Sequence, residues 1–460
     1  LIKRVREGRI LLFTFFTCTT NTQQIKLMSN SKDVKFSLRV FLHKQKTKVL
    51  FAEVESDFAD VLLSFLTLPL GTIVRVLKKH YGEGQETHVV NIGSLTNLYD
   101  SLSNLDGVYF WTEGCKEVLL NPTSSFRDEC RKLKLDISET QPTEHFTCPL
   151  PKCYASCNMD CLSVYYDTSE CNCGRKRVRK IGPQAINRAG GIFTVDIASF
   201  IISDDLRVFP NSTGFIHTLR NLGITDMDLG ELRIVTFGFS EIMDLLKGSL
   251  FSGTPLSDVI LNKRQVDHFA TVKCEPRILS LKEKEATSNS KKIILKIMVR
   301  KSTNKLLFAR AGQDFMDFLC SLFAIPFGAV EYLLGGNTSL KAIDNLYRSI
   351  VMFIDESHLA TPYIKNRLIK GKLRHGYISK FQILPLTEER FCYSTDGYVP
   401  EMRNFSSVNF VKGPGKYIRG PTMYKITDDL TVTPFCMASI LLGFKEQNIH
   451  LSDVQEWSLR

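Results

Sequence analysis

The chain has 460 residues, of which 43% are hydrophobic and 23% charged, and these proportions exclude a chain that is disordered throughout. The net charge of +11 would suggest a polyanion-binding surface if it were spread evenly. Nine of these charges, however, lie in residues 1–27 and in the run from Arg175 to Lys180. The rest of the chain is nearly neutral, so a general polyanion-binding surface is not implied.

Residues 1–27 precede Met28 and are predicted to be a disordered leader that does not belong to the folded protein. A secretory signal is the rival interpretation, because basic residues between Lys3 and Arg9 come before the apolar run 10–16. A small-residue cleavage site is not clear after this run, which favours the leader. No other apolar run reaches the roughly 18 residues that a membrane span needs.

The folded part is predicted to open with a β-hairpin and a helix. Apolar and polar residues alternate from Val34 to Leu42, which indicates a half-buried strand, and residues 48–54 indicate the return strand. Asp57 is expected to cap the helix that follows, with Asp60 in its first turn. After Pro69 and Gly71, a second short helix is predicted over 72–78.

This opening stretch occurs twice. Residues 36–77 align with residues 293–334 without a gap at a shift of 257, and 14 of 42 positions are identical. The motif from Asn97 to Ser101 returns from Asn345 at a shift of 248, and residues 202–210 return as 426–434 at a shift of 224. These matches predict an internal duplication.

The remaining elements are predicted from shorter signals. Residues 111–120 suggest a strand and a turn, and residues 191–195 and 199–202 suggest two strands. A helix is expected from a cap at Ser212 to Leu222, closed by Gly223, and another over 239–250. The polar, aperiodic residues 275–292 are predicted to be a linker.

The fold class expected from these elements is α+β. Two tandem homologous domains are predicted at 28–265 and 293–460, each opening with a hairpin followed by a helix and each burying its own interior. The second is expected to be shortened at its C-terminal end. The first carries a cysteine-rich insertion at 145–175, which resembles a zinc knuckle.

The cysteine-rich insertion is the strongest candidate site. The chain has 13 cysteines, an odd number, and six of them lie between Cys148 and Cys173, which favours a reducing, intracellular compartment, cytoplasmic or nuclear, over a secreted disulfide framework. Two close pairs about 20 residues apart are typical of a structural zinc site. The preferred ligands are Cys148, Cys153, Cys171 and Cys173, with Cys157, Cys161 and His145 as alternates. Unmetallated thiols and disulfides are the alternatives that the residues leave open.

The basic run after the last of these cysteines is a candidate for phosphate contacts. No aromatic residue is interleaved with it, so a solvated loop is the favoured interpretation over nucleic-acid binding. The residues concerned are Arg175, Lys176, Arg177, Arg179 and Lys180.

Paired carboxylates recur in both copies. Asp57 and Asp60 correspond to Asp314 and Asp317, and helix capping is favoured for them over general acid-base chemistry. The pairs that begin at Asp204 and at Asp428 are expected in turns between strands.

Several motifs resemble a plant-specific family known as domain of unknown function 674. The similarity extends over residues 33–460, and the resemblance implies tandem copies but no activity, substrate or catalytic residue. The chain departs from the family in its basic run, in Cys157 and Cys161, and in its early C-terminal end. The matching segments are Lys48-Val-Leu-Phe-Ala-Glu53, Asp57-Phe-x-Asp60, Leu66-Thr-Leu-Pro-Leu-Gly-Thr72, Gly93-Ser-Leu-Thr-Asn-Leu-Tyr99, Cys171-x-Cys-Gly174, Asp204-Asp-Leu and Leu245-Leu-Lys-x-Ser-Leu250.

The expected function is therefore a non-enzymatic interaction or scaffold protein with a structural zinc site. One alternative is a nucleic-acid-associated protein that uses the cysteine knuckle and the basic run. Another is a divergent enzyme with a site between the two domains, for which no residue can be named. Protein partners and oligomeric state do not follow from the sequence.

Overall fold

A computed structural model describes most of the chain. The described residues are 34–82, 90–140, 145–150, 153, 171, 173–181, 191–212, 214–225, 229–262, 293–374, 376–389 and 416–459. They form helices and antiparallel sheets, which confirms the mixed class. The predicted leader 1–27 and the predicted linker 275–292 lie outside the described residues.

The strands fall into one series in each half of the chain, and the first half also contains a short separate pair. They are β1 (Phe36–His43), β2 (Val49–Glu55), β3 (His145–Thr147), β4 (Arg179–Ile181), β5 (Ser199–Ser203), β6 (Val208–Pro210), β7 (Leu229–Phe237), β8 (Leu295–Arg300), β9 (Lys305–Ala311), β10 (Tyr424–Ile426), β11 (Val432–Pro434) and β12 (Val454–Leu459).

The helices follow the same division. They are α1 (Ser56–Ser64), α2 (Leu70–Gly82), α3 (Ser94–Asn104), α4 (Glu113–Leu120), α5 (Arg127–Cys130), α6 (Phe215–Leu222), α7 (Phe239–Phe251), α8 (Pro255–Ile260), α9 (Gln313–Ser321), α10 (Phe327–Leu333), α11 (Lys341–Met352), α12 (Pro362–Ile369) and α13 (Met437–Glu446). Short 3-10 turns follow α1 and α9, at Phe65–Thr67 and Leu322–Ala324.

Two five-stranded antiparallel sheets have matching strand orders. Sheet 1 runs β6-β5-β2-β1-β7 and sheet 2 runs β11-β10-β9-β8-β12. The hairpin registers also match, because Val40 lies opposite Ala52 in sheet 1 and Ile297 lies opposite Ala309 in sheet 2. Each hairpin carries a bulge one residue later. Each half thus opens with the predicted hairpin and a following helix.

The predicted cap of the first helix and the predicted strand at 111–120 are wrong. The helix over 56–64 begins after Glu55 and lacks a side-chain cap, so Asp57 is not its cap. Residues 113–120 form helix α4 instead of a strand and a turn. Cys115, Val118 and Leu119 repeat at the spacing of a helical face, and Cys115 and Leu119 are buried in a core.

The expectation that each half buries its own interior is also wrong. The first core combines the inner face of sheet 1 with residues of α11 and α12, which belong to the second half. The second core combines the inner face of sheet 2 with residues of α3 and α4 from the first half. The two halves have exchanged helices, so neither core is complete without both.

The two halves contact each other at segments 68–71 and 325–328, which share a proline and a glycine. Leu70 donates its backbone N–H to Ile325 O at 2.9 Å, and Phe327 donates to Leu68 O at 3.0 Å. Pro69 lies opposite Pro326 in this antiparallel pairing, so the contact is symmetric at positions that align at the shift of 257. A Cβ at Gly71 would approach Pro122 Cγ to 2.9 Å, which explains why the motif carries glycine here.

The repeated motif that begins at Asn97 and at Asn345 holds each exchanged helix against a loop of the other half. On α3, the Asn97 side chain donates to Asp429 O at 3.1 Å, and on α11 the Asn345 side chain donates to Asp205 O at 2.9 Å. The Ser101 hydroxyl on α3 accepts the N–H group of Val432 on β11, and the Ser349 hydroxyl on α11 accepts the N–H group of Val208 on β6, both at 2.9 Å. The predicted turns at Asp204 and at Asp428 are confirmed as the loops that receive these helices.

Two buried carboxylates fasten the loops that join the halves. Asp60 is 3% exposed and accepts the N–H groups of Ile192 (3.0 Å), Phe193 (3.2 Å) and Thr194 (2.8 Å), together with the Thr194 hydroxyl (2.8 Å). Burial raises the pKa of Asp60 to about 6 although these donors lower it, so the group is ionised at neutral pH. Residues 191–194 form this loop instead of the predicted strand.

Asp317 has the same role in the second half. It accepts the N–H groups of Tyr417 and Ile418 and the hydroxyl of Ser379. Backbone hydrogen bonds then link each of these loops to the other half. Ala360 N of the second half donates to Phe193 O, and Trp111 N of the first half donates to Tyr417 O, both at 2.9 Å. The interpretation of Asp60 and Asp317 as helix caps is therefore wrong, because their partners are distant loops.

The exchange of helices predicts one cooperative unfolding transition. Leu346 on α11 is fully buried in the first core, so Leu346→Ala should lower the free energy of unfolding by about 2–5 kcal/mol. Trp111 packs against the second core and Trp457 lies on β12 of sheet 2, so tryptophan fluorescence reports on the second core, which Leu346 does not enter. In urea unfolding of Leu346→Ala, the midpoints measured by fluorescence and by far-UV circular dichroism should fall by the same amount.

Val351→Ala is the matched control, because Val351 lies on the same helix and is 42% exposed. A fluorescence transition that stays in place while the circular dichroism transition moves would show that the cores unfold independently.

Removal of the Asp60 carboxylate should destabilise the whole fold. Asp60→Ala leaves three backbone N–H groups and the Thr194 hydroxyl without their acceptor, which should cost about 3 kcal/mol in thermal or urea unfolding. Asp57→Ala is the control, since Asp57 makes a half-exposed ion pair with Lys134 and should change stability by less than about 1 kcal/mol. Equal effects of the two substitutions would contradict the assigned role of Asp60.

Candidate metal centre

The candidate metal centre lies at the end of a small separate ribbon. Strands β3 and β4 pair antiparallel, with His145 opposite Ile181 and Thr147 opposite Arg179. Cys148 directly follows β3, and Cys171 and Cys173 precede β4. The ribbon therefore brings together two cysteine segments that are far apart in the sequence.

Tight turns shape both segments. In the second, Cys171 N donates to Arg175 O and Gly174 N donates to Cys171 O, each at 2.8 Å. Gly174 has a φ of +78°, a left-handed conformation that glycine adopts without a steric penalty. In the first segment, Cys153 N donates to Leu150 O at 3.1 Å, which turns the backbone between Cys148 and Cys153.

Four cysteine sulfurs converge between these turns. The Sγ atoms of Cys148, Cys153, Cys171 and Cys173 all lie within 4.8 Å of one another, and the thiols are free. Cys148 Sγ and Cys173 Sγ are 3.6 Å apart. Tetrahedral coordination with metal–sulfur bonds of about 2.3 Å places neighbouring sulfurs about 3.8 Å apart. The donor set and its spacing thus fit a tetrahedral metal ion.

The environment already favours one thiolate in this cluster. The backbone N–H of Arg175 lowers the pKa of Cys173 to about 7. The hydrogen bond with Cys173 raises the pKa of Cys153 to about 12, and burial raises the pKa of Cys148. A metal cation bound among the sulfurs would favour further thiolates, because it offsets the negative charge gathered there.

The structure brings together the four preferred ligands but does not describe all the alternates. Cys157 and Cys161 lie outside the described residues. His145 contributes its backbone to β3. In the basic run, Arg175, Lys176, Arg179 and Lys180 are exposed, whereas Arg177 is 4% exposed and is not open to a phosphate on the surface.

A buried carboxyl group in the second half is one feature that sequence reasoning missed. Glu331 on α10 is 1% exposed and accepts the Thr338 hydroxyl at 2.9 Å, and the same hydroxyl also contacts Asp344. Burial, and then the neighbouring Asp344, raises the pKa of Glu331 to about 8. Val74 is the residue that aligns with Glu331 at the shift of 257, so comparison of the two similar segments offered no signal for it.

The stability of the protein should fall as the pH rises towards 8 because of Glu331. Its pKa in the folded chain lies above the ordinary value of 4.5, so its contribution is complete below pH 4.5 and is lost progressively between pH 4.5 and pH 8. We expect a loss of about 2–4 kcal/mol between pH 6 and pH 9.5 by urea unfolding, which Glu331→Gln should largely remove. Glu356→Gln, at an exposed position, is the control, and an unchanged pH dependence in Glu331→Gln would refute the assignment.

Comparison with known proteins gives the chain a family. A family model described as "Protein of unknown function (DUF674)" matches residues 32–460. Neither the curated proteins nor the solved structures contain a significant match. Among the residues that the structure describes, every helix is too short or too polar to cross a bilayer. Because the matched region takes in both sheets and the cysteine ribbon, this chain belongs to the DUF674 family of proteins of unknown function.

Proposed function

We propose that Cys148, Cys153, Cys171 and Cys173 hold a structural zinc ion in a protein that acts as an interaction scaffold. The convergence of four sulfurs within 4.8 Å is the observation that carries this proposal. Zinc suits the donor set because structural zinc sites are commonly built from four cysteines on tight turns. Four sulfur ligands leave no coordination position for water or substrate, so the ion would act structurally.

The metal would stabilise a region that the two main cores do not reach. Among the residues that the structure describes, neither core includes residues of the ribbon β3–β4, and Phe146 is a buried apolar side chain of the ribbon. A two-stranded ribbon is marginal in water without further support. Closure of the cysteine cluster by zinc would supply that support, and the thiolates it needs persist in a reducing, intracellular compartment.

A scaffold is preferred to an enzyme on the evidence of the buried carboxylates. Asp60 and Asp317 are one member of each recurring pair with Asp57 and Asp314, and both accept hydrogen bonds from backbone N–H groups of distant loops. They are therefore not available as an acid-base pair. Nucleic-acid binding by the basic run gains no support, since Arg177 is buried and no aromatic residue is interleaved with the run.

We also propose that the two halves arose by tandem duplication. The equal sheet orders, the equal hairpin registers and the symmetric pairing of Pro69 with Pro326 support this origin. The cysteine ribbon would then be an addition to the first half, since its position in the chain lies between α5 and β5.

Metal analysis tests the zinc site. The full chain, purified without added metal or chelator, should contain about one zinc ion per chain by mass spectrometry of the elements, and Cys148→Ser or Cys171→Ser should lower this to near zero. Protease should then cut the ribbon of the variants faster. Both main cores should persist, because the ribbon lies outside them.

Cys436→Ser is the matched control, because Cys436 is an exposed cysteine outside the cluster and its loss should leave the zinc content unchanged. Two results together would refute the structural zinc site. The wild-type protein would contain no stoichiometric metal, and the ribbon of Cys171→Ser would be as resistant to protease as that of the wild type.

A further inference from the structure

Strand β7 is an exposed edge of sheet 1 in the described part of the chain. It pairs with β1 along one side, and α7, which follows it in the chain, is its other main neighbour. Val235 packs against the first core, so Leu232 and Ile234 need not be exposed for want of space but because they lie on the opposite face of the strand. Leu232 is 52% exposed and Ile234 is 70% exposed. The strand thus offers water both an apolar face and a free edge.

The opposite edge of sheet 1 is closed. Val208 and Phe209 on β6 are buried, and the Ser349 hydroxyl on α11 accepts the Val208 N–H group at 2.9 Å. An edge strand carries unpaired N–H and C=O groups and can accept another strand, which is why proteins often shield such edges. Strand β7 contains no proline, and its register against β1 is regular from Leu232 to Phe237. It is therefore the edge of this sheet that suits pairing with a further strand.

The charges on β7 are complementary to themselves. Glu231 and Arg233 are two residues apart on one face of the strand, because their side chains form an ion pair at 2.9 Å and both remain more than 40% exposed. Glu231 also contacts Lys46 Nζ at 2.6 Å. When two identical strands pair about a twofold axis, the contact of residue i with residue j occurs twice. An acid and a base two residues apart therefore face each other twice when the residue between them lies on the axis.

We propose that β7 pairs antiparallel with β7 of a second copy of this chain, so that two copies of sheet 1 form one continuous sheet. With the axis at Leu232, Glu231 of each copy lies opposite Arg233 of the other, and Leu232 packs against its own counterpart. An axis at Arg233 would oppose two guanidinium groups, and an axis at Ile234 would leave both charges opposite apolar residues. The charges therefore select both the occupant and the register. This inference goes beyond the proposed scaffold and does not depend on the zinc site.

Strand β12 shows that this self-complementarity is particular to β7. It holds the equivalent place in the strand order of sheet 2. Its one charged residue is Glu456, which pairs with Lys296 at 2.7 Å. Two copies of β12 therefore have no acid and base of their own to match. Glu456 also provides a matched control, because it is an exposed glutamate on the other edge strand.

Sedimentation velocity over a range of protein concentrations tests the contact with the full chain at low salt. The interface is small, so we expect reversible dimers with a dissociation constant on the order of 10 µM. Glu231→Arg and Arg233→Glu should each weaken dimerisation at least about ten-fold, because each places like charges opposite each other on both sides of the axis. Circular dichroism checks that the variants are folded, as the exposure of both side chains leads us to expect.

An equimolar mixture of the two variants is the decisive sample. One variant carries arginine at both positions and the other carries glutamate at both, so every facing pair in a mixed dimer joins opposite charges. Mixed dimers should form with an affinity within about three-fold of the wild type, and the double variant Glu231→Arg/Arg233→Glu should recover to the same extent. Glu456→Arg should dimerise as the wild type does.

Any of three outcomes would overturn the proposal: a wild-type chain that stays monomeric at about 200 µM, dimers that both charge reversals leave unchanged, or a mixture that does not associate. The first would leave β7 to a different partner strand, and the second would assign the dimer to another surface. Cys171→Ser should dimerise normally. Metal content is measured on the same samples, so a failed strand pairing and a failed zinc site are recognised separately.

Discussion

The antiparallel contact between Leu68–Leu70 and Ile325–Phe327 is the constraint on which the rest of the fold depends. Two backbone hydrogen bonds join the halves at this point, and the chain then carries each half's helices to the other sheet. Leu68, Ile325 and Phe327 are buried there, and Gly71 and Gly328 allow the close approach of neighbouring segments. This short contact thus lies where the chain directs α3 and α4 to sheet 2 and α11 and α12 to sheet 1.

Exchange of helices between two similar halves raises a specificity problem. Each helix has two similar sheets on which it could pack, and apolar burial alone does not choose between them, because it is non-directional. Polar groups at fixed positions distinguish the two sheets. Asn97 and Asn345 each donate a hydrogen bond to a loop of the opposite half. Asp60 and Asp317 each hold a loop whose backbone pairs with the opposite half. Misplaced packing would leave these buried groups without partners, which is costly.

The cysteine ribbon differs from the two cores in the interactions that hold it together. The two cores are stabilised by apolar area buried between halves, whereas the ribbon gathers four sulfurs with little apolar support. Its stability is therefore expected to come from coordination chemistry. The candidate metal centre therefore lies outside the two main cores.

Local pattern in the sequence was enough to determine the hairpins, α1, α2, α7, the turns at Asp204 and Asp428, the repeat that aligns them, and the four cysteines that meet. These depend on period, turn chemistry and short-range spacing, which a single chain displays directly. The partners of Asp60, the exchange of α3 and α11 and the buried Glu331 were decided only in the tertiary structure. Two repeats with equivalent apolar faces can pack with themselves or with each other at nearly the same hydrophobic gain, so a linear pattern does not distinguish the two arrangements.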